Sequence, residues 1–162
     1  MVTVFLGLGS NIDAESNLHL AVSELRGRFG ELVLSPVYRS RALGFDGDDF
    51  LNMVVGLETD GSPQDLLDHF ETIHALAGRV RSGDRYSSRP LDIDLLLYGD
   101  LVDCEPPLRL PRRDVLAHNF VLRPLAEIAP DFVHPGTQRT ISEHWRDFDA
   151  ACHPLVPVDV IL

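Results

Sequence analysis

Hydrophobic residues follow two spacings along this chain, and each spacing predicts a different kind of element. The segment from Val2 to Leu8 is mostly apolar and rich in β-branched residues, which is typical of a buried strand. From Asn17 to Phe29 the apolar residues recur every three or four positions, which predicts a helix. The same criteria predict strands over 32–39, 51–58, 91–98 and 131–133, helical segments over 62–77, near 114, over 120–128 and over 142–148, and an edge strand in the tail from 154.

The order of these elements indicates an α+β fold. Helices and strands alternate, but several strands also follow one another directly, so we expect helices packed on a mostly antiparallel sheet. Ser62-Pro63-Gln64-Asp65 marks one helix start, because a serine and an acid three residues later can form a capping box. Polar loops are expected over 40–49 and 79–88. No repeat or linker interrupts the pattern, so residues 1–162 are expected to form a single domain.

Composition narrows the classes of function. The chain has 162 residues and a net charge of −11, which argues against nucleic acid as the main partner. No apolar stretch is long enough to span a bilayer, and Cys104 and Cys152 form no motif. We therefore expect a cytoplasmic protein with reduced thiols and no membrane partner. We also expect a monomer, with a dimer as the alternative. All 14 basic residues are arginine, which excludes a Walker-A lysine and a Schiff-base lysine.

Two aspartates interrupt an otherwise hydrophobic strand. Asp92 and Asp94 stand two residues apart between leucines and an isoleucine, so in a strand both side chains point to the same face, about 6.5 Å apart. Aspartate is disfavoured in strands and adjacent carboxylates repel each other, whereas a divalent cation removes both penalties. Magnesium binds through one or two carboxylates plus substrate phosphates. The pair predicts a metal site, and an exposed polar face is the alternative.

Four arginines precede these aspartates in an acidic chain. Arg79, Arg81, Arg85 and Arg89 are accompanied by one aspartate between 79 and 89, so this segment is locally positive. The planar guanidinium group binds phosphate oxygens through two parallel hydrogen bonds. A solvated loop is the usual meaning of such a charged run. Because this run abuts the aspartates, it favours a site for a metal-bound polyphosphate.

Other patterns are weaker. The run 7–12 (Gly-Leu-Gly-Ser-Asn-Ile) lacks the third glycine of a dinucleotide fingerprint, since Ile12 stands there, and a tight turn after the first strand is expected instead. Phe50, Asn52 and Phe120 could belong to the core or contact a heterocyclic ligand, and the residues alone leave both readings open. The seven histidines show no metal-ligand spacing, and no nucleophile motif is present.

Taken together, these residues resemble the 6-hydroxymethyl-7,8-dihydropterin pyrophosphokinase family of folate synthesis. The resemblance covers about residues 2 to 135, and the block that joins the arginines to Leu-Asp-Ile-Asp is its most specific part. The matching segments are Leu6-Gly7-Leu8-Gly9-Ser10-Asn11, Ser35-Pro36-Val37-Tyr38-Arg39-Ser40, Phe50-Leu51-Asn52, Gly78-Arg79-Val80-Arg81, Arg89-Pro90-Leu91-Asp92-Ile93-Asp94-Leu95-Leu96-Leu97-Tyr98-Gly99, and Phe120-Val121-Leu122-Arg123-Pro124-Leu125-Ala126-Glu127-Ile128-Ala129-Pro130.

The resemblance implies a ferredoxin-like α+β fold with three mobile loops. It also implies transfer of pyrophosphate from ATP to the hydroxymethyl group of the pterin, with release of AMP. Asp92 and Asp94 would then hold two Mg²⁺ ions bound with ATP, while Arg79 and Arg89 steady the transferring phosphates as catalytic residues. Further implied contacts are Arg81, Arg112 and His118 to ATP, and Ser40, Leu43, Phe50, Asn52 and Phe120 to the pterin, with the two phenylalanines enclosing the ring and Asn52 bonding its edge.

Some positions depart from the family pattern. Family members carry Glu at His74, Trp at Tyr86, His at Arg112 and Arg near His118, so the nucleotide side of the site differs from its relatives. Two alternatives to the pyrophosphokinase reading follow. The chain could be a paralogue that acts on a related pterin, or a non-catalytic pterin-binding protein. The retained aspartate pair argues against the second, because binding a pterin alone requires no metal site.

Overall fold

The computed structural model describes residues 1–41, 47–78, 90–148 and 155–162. The helices are α1 (Ala14–Phe29), α2 (Pro63–Leu76), α3 (Asp114–Ala117), α4 (Asn119–Ile128) and α5 (Ile141–Asp147). The strands are β1 (Val2–Ser10), β2 (Val33–Leu34), β3 (Val37–Ser40), β4 (Phe50–Thr59), β5 (Asp92–Tyr98) and β6 (Val156–Val158).

One antiparallel sheet organises the chain, with strand order β5-β1-β4-β3-β6 and β2 beside β4. Around the central strands the order β5-β1-β4-β3, with α1 and α2 as the connecting helices, is the ferredoxin-like arrangement of two split βαβ units. The predicted α+β class is therefore confirmed. The tail also forms the expected edge strand, because β6 pairs with β3.

The sheet separates two hydrophobic cores. One face packs against α1 and α2 through side chains such as Leu6, Leu25 and Ile93. The other face packs against α3, α4 and α5 through side chains such as Phe5 and Val54. Because side chains alternate between faces along a strand, the central strands contribute to both cores.

Several predicted boundaries change in the structure. The strand predicted over 32–39 is divided into β2 and β3 at Ser35-Pro36, since proline has no N–H to donate. At this break the Ser35 hydroxyl accepts from the Val54 N–H at 2.8 Å, so this donor of β4 keeps a partner. The strand predicted over 131–133 is wrong, because Val133 makes only a single bridge to Thr140 across a turn. The helix that contains Pro124 is α4, which continues through the proline.

Local signals place the helix that leads towards the arginine-rich segment. The predicted capping box at Ser62 is confirmed: its hydroxyl accepts from the Asp65 N–H at 3.2 Å, and the Asp65 carboxylate accepts from the Ser62 N–H at 3.0 Å.

Cys104 is a free, exposed thiol, and Cys152 lies outside the described residues. Within the described part of the chain, no helix has the length and apolarity needed to cross a membrane.

Candidate active site

The two aspartates share one face of the edge strand β5. Ile93 and Leu95, which alternate with them, are buried against α1 and α2. Asp92 and Asp94 therefore lie on the opposite face, the side of the sheet that carries α3 and α4. The Asp94 side chain is 35% exposed, so it is accessible from solvent while resting against the sheet.

Glycines lie beside these carboxylates on the neighbouring strand. In the β1–β5 register Gly7 is opposite Asp94 and Gly9 is opposite Asp92. Cross-strand partners project to the same face. The absence of side chains at Gly7 and Gly9 therefore leaves open sheet surface next to the aspartates, and this surface is called the floor of the site. The predicted tight turn at these glycines is wrong, because β1 continues through Ser10 and pairs on both sides, with β4 and with β5.

A buried amide lies on the far side of this floor. Asn52 of β4 is opposite Gly9 and is 8% exposed, and its Nδ2 donates to Ser40 Oγ at 2.8 Å. A Cβ atom on Gly9 would lie only 2.8 Å from Asn52 Oδ1, so the amide leans over the glycine. Since strands are about 4.8 Å apart, the backbones of Asn52 and Asp92 are about 10 Å apart across Gly9. Phe50 shares the face of Asn52, two residues earlier.

The α3–α4 segment brings further predicted residues to this face. Arg112 lies with Nη2 3.4 Å from Asp94 Oδ1, so this predicted ATP ligand already contacts the carboxylate pair. The rings of His118 and Phe120 are stacked, with centroids 4.8 Å apart and planes 10° apart. The family resemblance assigns these two residues to different substrates, whereas the structure makes them neighbours.

An anchor at β3 fixes the position of α4. The Tyr38 hydroxyl donates to Glu127 Oε1, and the guanidinium of Arg123 lies 4.8 Å from the centroid of the Tyr38 ring. Burial and the neighbouring Glu127 carboxylate raise the pKa of Tyr38 to about 12, so the hydroxyl remains a donor at physiological pH. Because Tyr38 is opposite Asn52 in the β3–β4 register, the anchor is next to the buried amide.

The remaining predicted site residues fall outside the described chain. They are Leu43, Arg79, Arg81 and Arg89, together with Tyr86, which departs from the family pattern. Two described residues close to these segments, Asp48 and Pro90, nevertheless contact the end of β1. Ser10 Oγ contacts the carbonyl of Pro90, and Asn11 Nδ2 donates to the carbonyl of Asp48 at 3.2 Å. The end of β1 therefore contacts a described residue close to each of these segments.

Comparison with known proteins decides the family. The model of the 7,8-dihydro-6-hydroxymethylpterin-pyrophosphokinase (HPPK) family matches residues 5–130. The chain belongs to the HPPK family. It is 43% identical over 140 residues to the 2-amino-4-hydroxy-6-hydroxymethyldihydropteridine pyrophosphokinase of Methylorubrum extorquens, which covers 84% of this chain and 88% of that protein. It is 37% identical over 142 residues to the protein of the same name from Haemophilus influenzae, covering 85% and 88%.

Solved structures agree with the HPPK fold. The crystal structure of Plasmodium falciparum HPPK-DHPS matches with a TM-score of 0.68 over 90% of this chain, at 13% sequence identity. The chain spans 44% of that longer protein. The agreement at such low identity shows the architecture of the sheet and helices and carries no information about individual side chains.

The donor set in this HPPK-family site fits a hard divalent cation. Carboxylate oxygens are the ligands that Mg²⁺ prefers, and Asp92 and Asp94 supply them from one face. No cluster of three or more His, Cys, Asp or Glu side chains with metal-binding geometry occurs among residues 1–41, 47–78, 90–148 and 155–162. Two carboxylates suit an ion that takes its other ligands from nucleotide phosphates and water.

His74 supports the strand that carries these carboxylates. Because β5 is an edge strand, some of its N–H groups face away from β1 and need another acceptor. His74 of α2 is 5% exposed, and its Nε2 accepts from the Ile93 N–H at 2.9 Å. From the sequence His74 is only a departure from the family pattern, since one histidine on a helix carries no sign of a partner 19 positions away. The bond holds the backbone between the two aspartates.

Replacing His74 with Ala is expected to lower the free energy of unfolding by about 1–3 kcal/mol, because the buried Ile93 N–H loses this acceptor. Chemical denaturation measures the change. His74→Gln should recover part of the loss, since its side-chain oxygen can reach a similar position. His19→Ala is the matched control, because His19 is exposed on α1. An equal loss in both alanine variants would contradict a supporting role for the His74–Ile93 bond.

Proposed function

We propose that this chain transfers the pyrophosphoryl group of ATP to the hydroxymethyl oxygen of 6-hydroxymethyl-7,8-dihydropterin and releases AMP, a step of folate synthesis. One observation carries the proposal. The Asp92–Asp94 pair and the buried Asn52 amide lie on the same face of the sheet, with the side-chain-free floor of Gly9 between them. The names of the Methylorubrum and Haemophilus relatives support it over a paralogue with another substrate or a binding protein without activity.

The Asn52 end of the floor suits the pterin. An amide pairs well with the donor and acceptor edge of a heterocycle, and the Ser40 hydroxyl holds this amide in place. Phe50 and Phe120 are assigned to the two faces of the ring, because aromatic side chains stack on flat heterocycles. The His118 ring, which is stacked on the Phe120 ring, would hold the Phe120 ring in position. Leu43 completes the proposed pterin contacts.

The Asp92 end suits the triphosphate. Asp92 and Asp94 would hold two Mg²⁺ ions, which when bound neutralise and orient the phosphate oxygens. Arg79 and Arg89 are proposed to stabilise the transferring group, with Arg81, Arg112 and His118 as further ATP contacts. The arginine-only composition fits this arrangement, because every cationic contact to phosphate must come from a guanidinium group, a metal ion or a histidine.

The reaction requires alignment and charge neutralisation rather than a covalent nucleophile. The hydroxymethyl oxygen forms a bond to the β-phosphorus of ATP and gives up its proton to solvent. The bond from the β-phosphorus to the bridging α–β oxygen breaks, and AMP leaves with that oxygen. Fixing the pterin by Asn52 and the phosphates near Asp92 brings the two reacting groups together, which removes much of the entropic barrier.

We further propose that residues 1–162 act as one domain in the cytoplasm, as a monomer, with a dimer as the alternative and without a nucleic-acid or membrane partner. The net charge of −11 supports the absence of nucleic acid, because phosphate backbones repel an acidic surface.

Formation of AMP tests the proposed function. The purified chain should produce one AMP per pterin diphosphate from ATP, Mg²⁺ and the reduced hydroxymethylpterin, and none when the pterin is omitted or the metal is chelated. A panel of pterin alcohols distinguishes a paralogue, which would prefer another alcohol. Tight pterin binding without AMP formation would favour the non-catalytic alternative.

A further inference from the structure

Arg112 bridges two carboxylates from different elements. Its backbone N–H donates to the Leu96 carbonyl at 2.9 Å, which fixes this residue beside β5. Its side chain turns back towards the sheet, with Nη2 3.4 Å from Asp94 Oδ1 and Nε donating to Asp114 Oδ2 at 3.2 Å. One guanidinium group therefore joins the carboxylate pair on β5 to the first turn of α3.

The electrostatic surroundings keep this guanidinium charged. Burial disfavours the charge, but the nearby carboxylates of Asp94, Asp114 and Asp92 outweigh burial and raise the pKa of Arg112. The protein thus already contains a cation at Asp94, where the proposed function requires a metal ion. A guanidinium and a metal ion cannot use the same carboxylate oxygen fully at once.

We propose that Arg112 is a displaceable counter-ion of the metal-binding carboxylates. Without nucleotide it offsets the negative charge of Asp94. When a metal–ATP complex arrives, the metal takes Asp94 and the guanidinium moves to a phosphate oxygen, so positive and negative charges stay matched. The inference rests on the proposed function for the metal ion at Asp94 and for the identity of the phosphate ligand.

This exchange makes metal and nucleotide binding cooperative. A metal ion alone must compete with Arg112 and therefore binds weakly. A nucleotide gives Arg112 another anion and so releases Asp94 for the metal. By linkage, the metal must strengthen nucleotide binding by the same factor. Asp114 remains a partner of Arg112 in either position, which limits how far the side chain must move.

Binding of Mn²⁺ without nucleotide tests the proposal, measured by electron paramagnetic resonance or calorimetry. Arg112→Gln should bind Mn²⁺ about tenfold more tightly than the wild-type protein, because a unit positive charge has left the site. Arg112→Lys keeps the charge but lacks the fork that bridges both carboxylates, so its affinity should lie between the two. Arg113→Gln is the matched control, since Arg113 is exposed, and screening should limit its effect to about twofold or less.

A second measurement follows the coupling. With a non-hydrolysable ATP analogue, the factor by which Mn²⁺ strengthens nucleotide binding should fall in Arg112→Gln by about the same tenfold. Thermal unfolding checks that each variant is folded, and the lysine variant replaces the glutamine one if the latter is not. Unchanged or weaker Mn²⁺ binding in the folded glutamine variant would overturn the counter-ion role.

The outcome is separable from that of the proposed function. Tighter Mn²⁺ binding in Arg112→Gln supports the counter-ion even if no AMP is formed from the hydroxymethylpterin. AMP formation together with unchanged Mn²⁺ affinity would overturn the counter-ion and leave the proposed function standing. Mn²⁺ binding that persists unchanged in Asp94→Ala would overturn the assignment of Asp94 and the counter-ion with it.

Discussion

Replacing Asp94 with Ala is expected to lower pyrophosphoryl transfer by on the order of a thousandfold while the chain stays folded. The side chain is one of two carboxylates on the face of β5 where the metal-bound phosphates are proposed to lie. Its removal takes away a proposed metal ligand and leaves Arg112 paired with Asp114, so no guanidinium is stranded. Because Asp94 is partly exposed, the free energy of unfolding should change by about 1 kcal/mol or less.

Single-turnover AMP formation and Mn²⁺ binding measure this effect, and both should fall together. Asp100→Ala is the matched control, because Asp100 is an exposed aspartate in the turn just after β5. It removes the same charge without touching the site and should retain full activity. Wild-type turnover in the Asp94 variant would show that the carboxylate pair is a polar surface and not a metal site.

The central strands and the aspartate face follow from local patterns. The alternation of Asp92 and Asp94 with apolar residues is a two-residue period, and a strand converts that period directly into a shared face. The capping box at Ser62 is likewise a contact between residues three positions apart. Such features are visible in the sequence because the residues that make them are close together along the chain.

The glycines of β1 are different, because their meaning depends on partners far along the chain. Read locally, Gly7 and Gly9 indicate a turn. In the sheet they are flanked by two long strands, and the ladder bonds on both sides offset the weak strand propensity of glycine. The role of Gly9 depends on Asn52 and Asp92, which pair with it from distant segments of the chain and leave no room for a side chain between them.

The contacts of Arg112 and His74 are also non-local. Arg112 meets Asp94 across 18 positions of sequence, and His74 meets Ile93 across 19. Both depend on how α2 and α3 dock on β5, which no periodicity specifies. The departures from the family pattern at these two positions indicated that the nucleotide side of the site differs from its relatives, but they did not indicate which atoms would meet.

Replacing Gly9 with Ala is expected to raise the KM for the pterin by about 10- to 100-fold. This is the size of effect expected from the loss of a buried hydrogen bond. The new methyl group would lie 2.8 Å from Asn52 Oδ1, closer than packed atoms tolerate, so the amide must move. Moving it disturbs the Nδ2 bond to Ser40 and the edge proposed to recognise the heterocycle. The KM for the pterin should rise, while the KM for ATP stays near its wild-type value.

Gly7→Ala is the matched control for this effect. Gly7 lies two residues earlier on the same face, neither glycine has a positive φ, and a methyl group there would meet the Leu96 side chain at an ordinary 3.4 Å. It should therefore leave the KM for the pterin within about twofold of wild type, with stability unchanged or slightly raised. Combining Gly9→Ala with Asn52→Ala should add little to the asparagine variant alone, because both act through the same amide. Equal losses at the two glycines, or full additivity with Asn52, would show that Gly9 serves the backbone of β1 and not the recognition of the pterin.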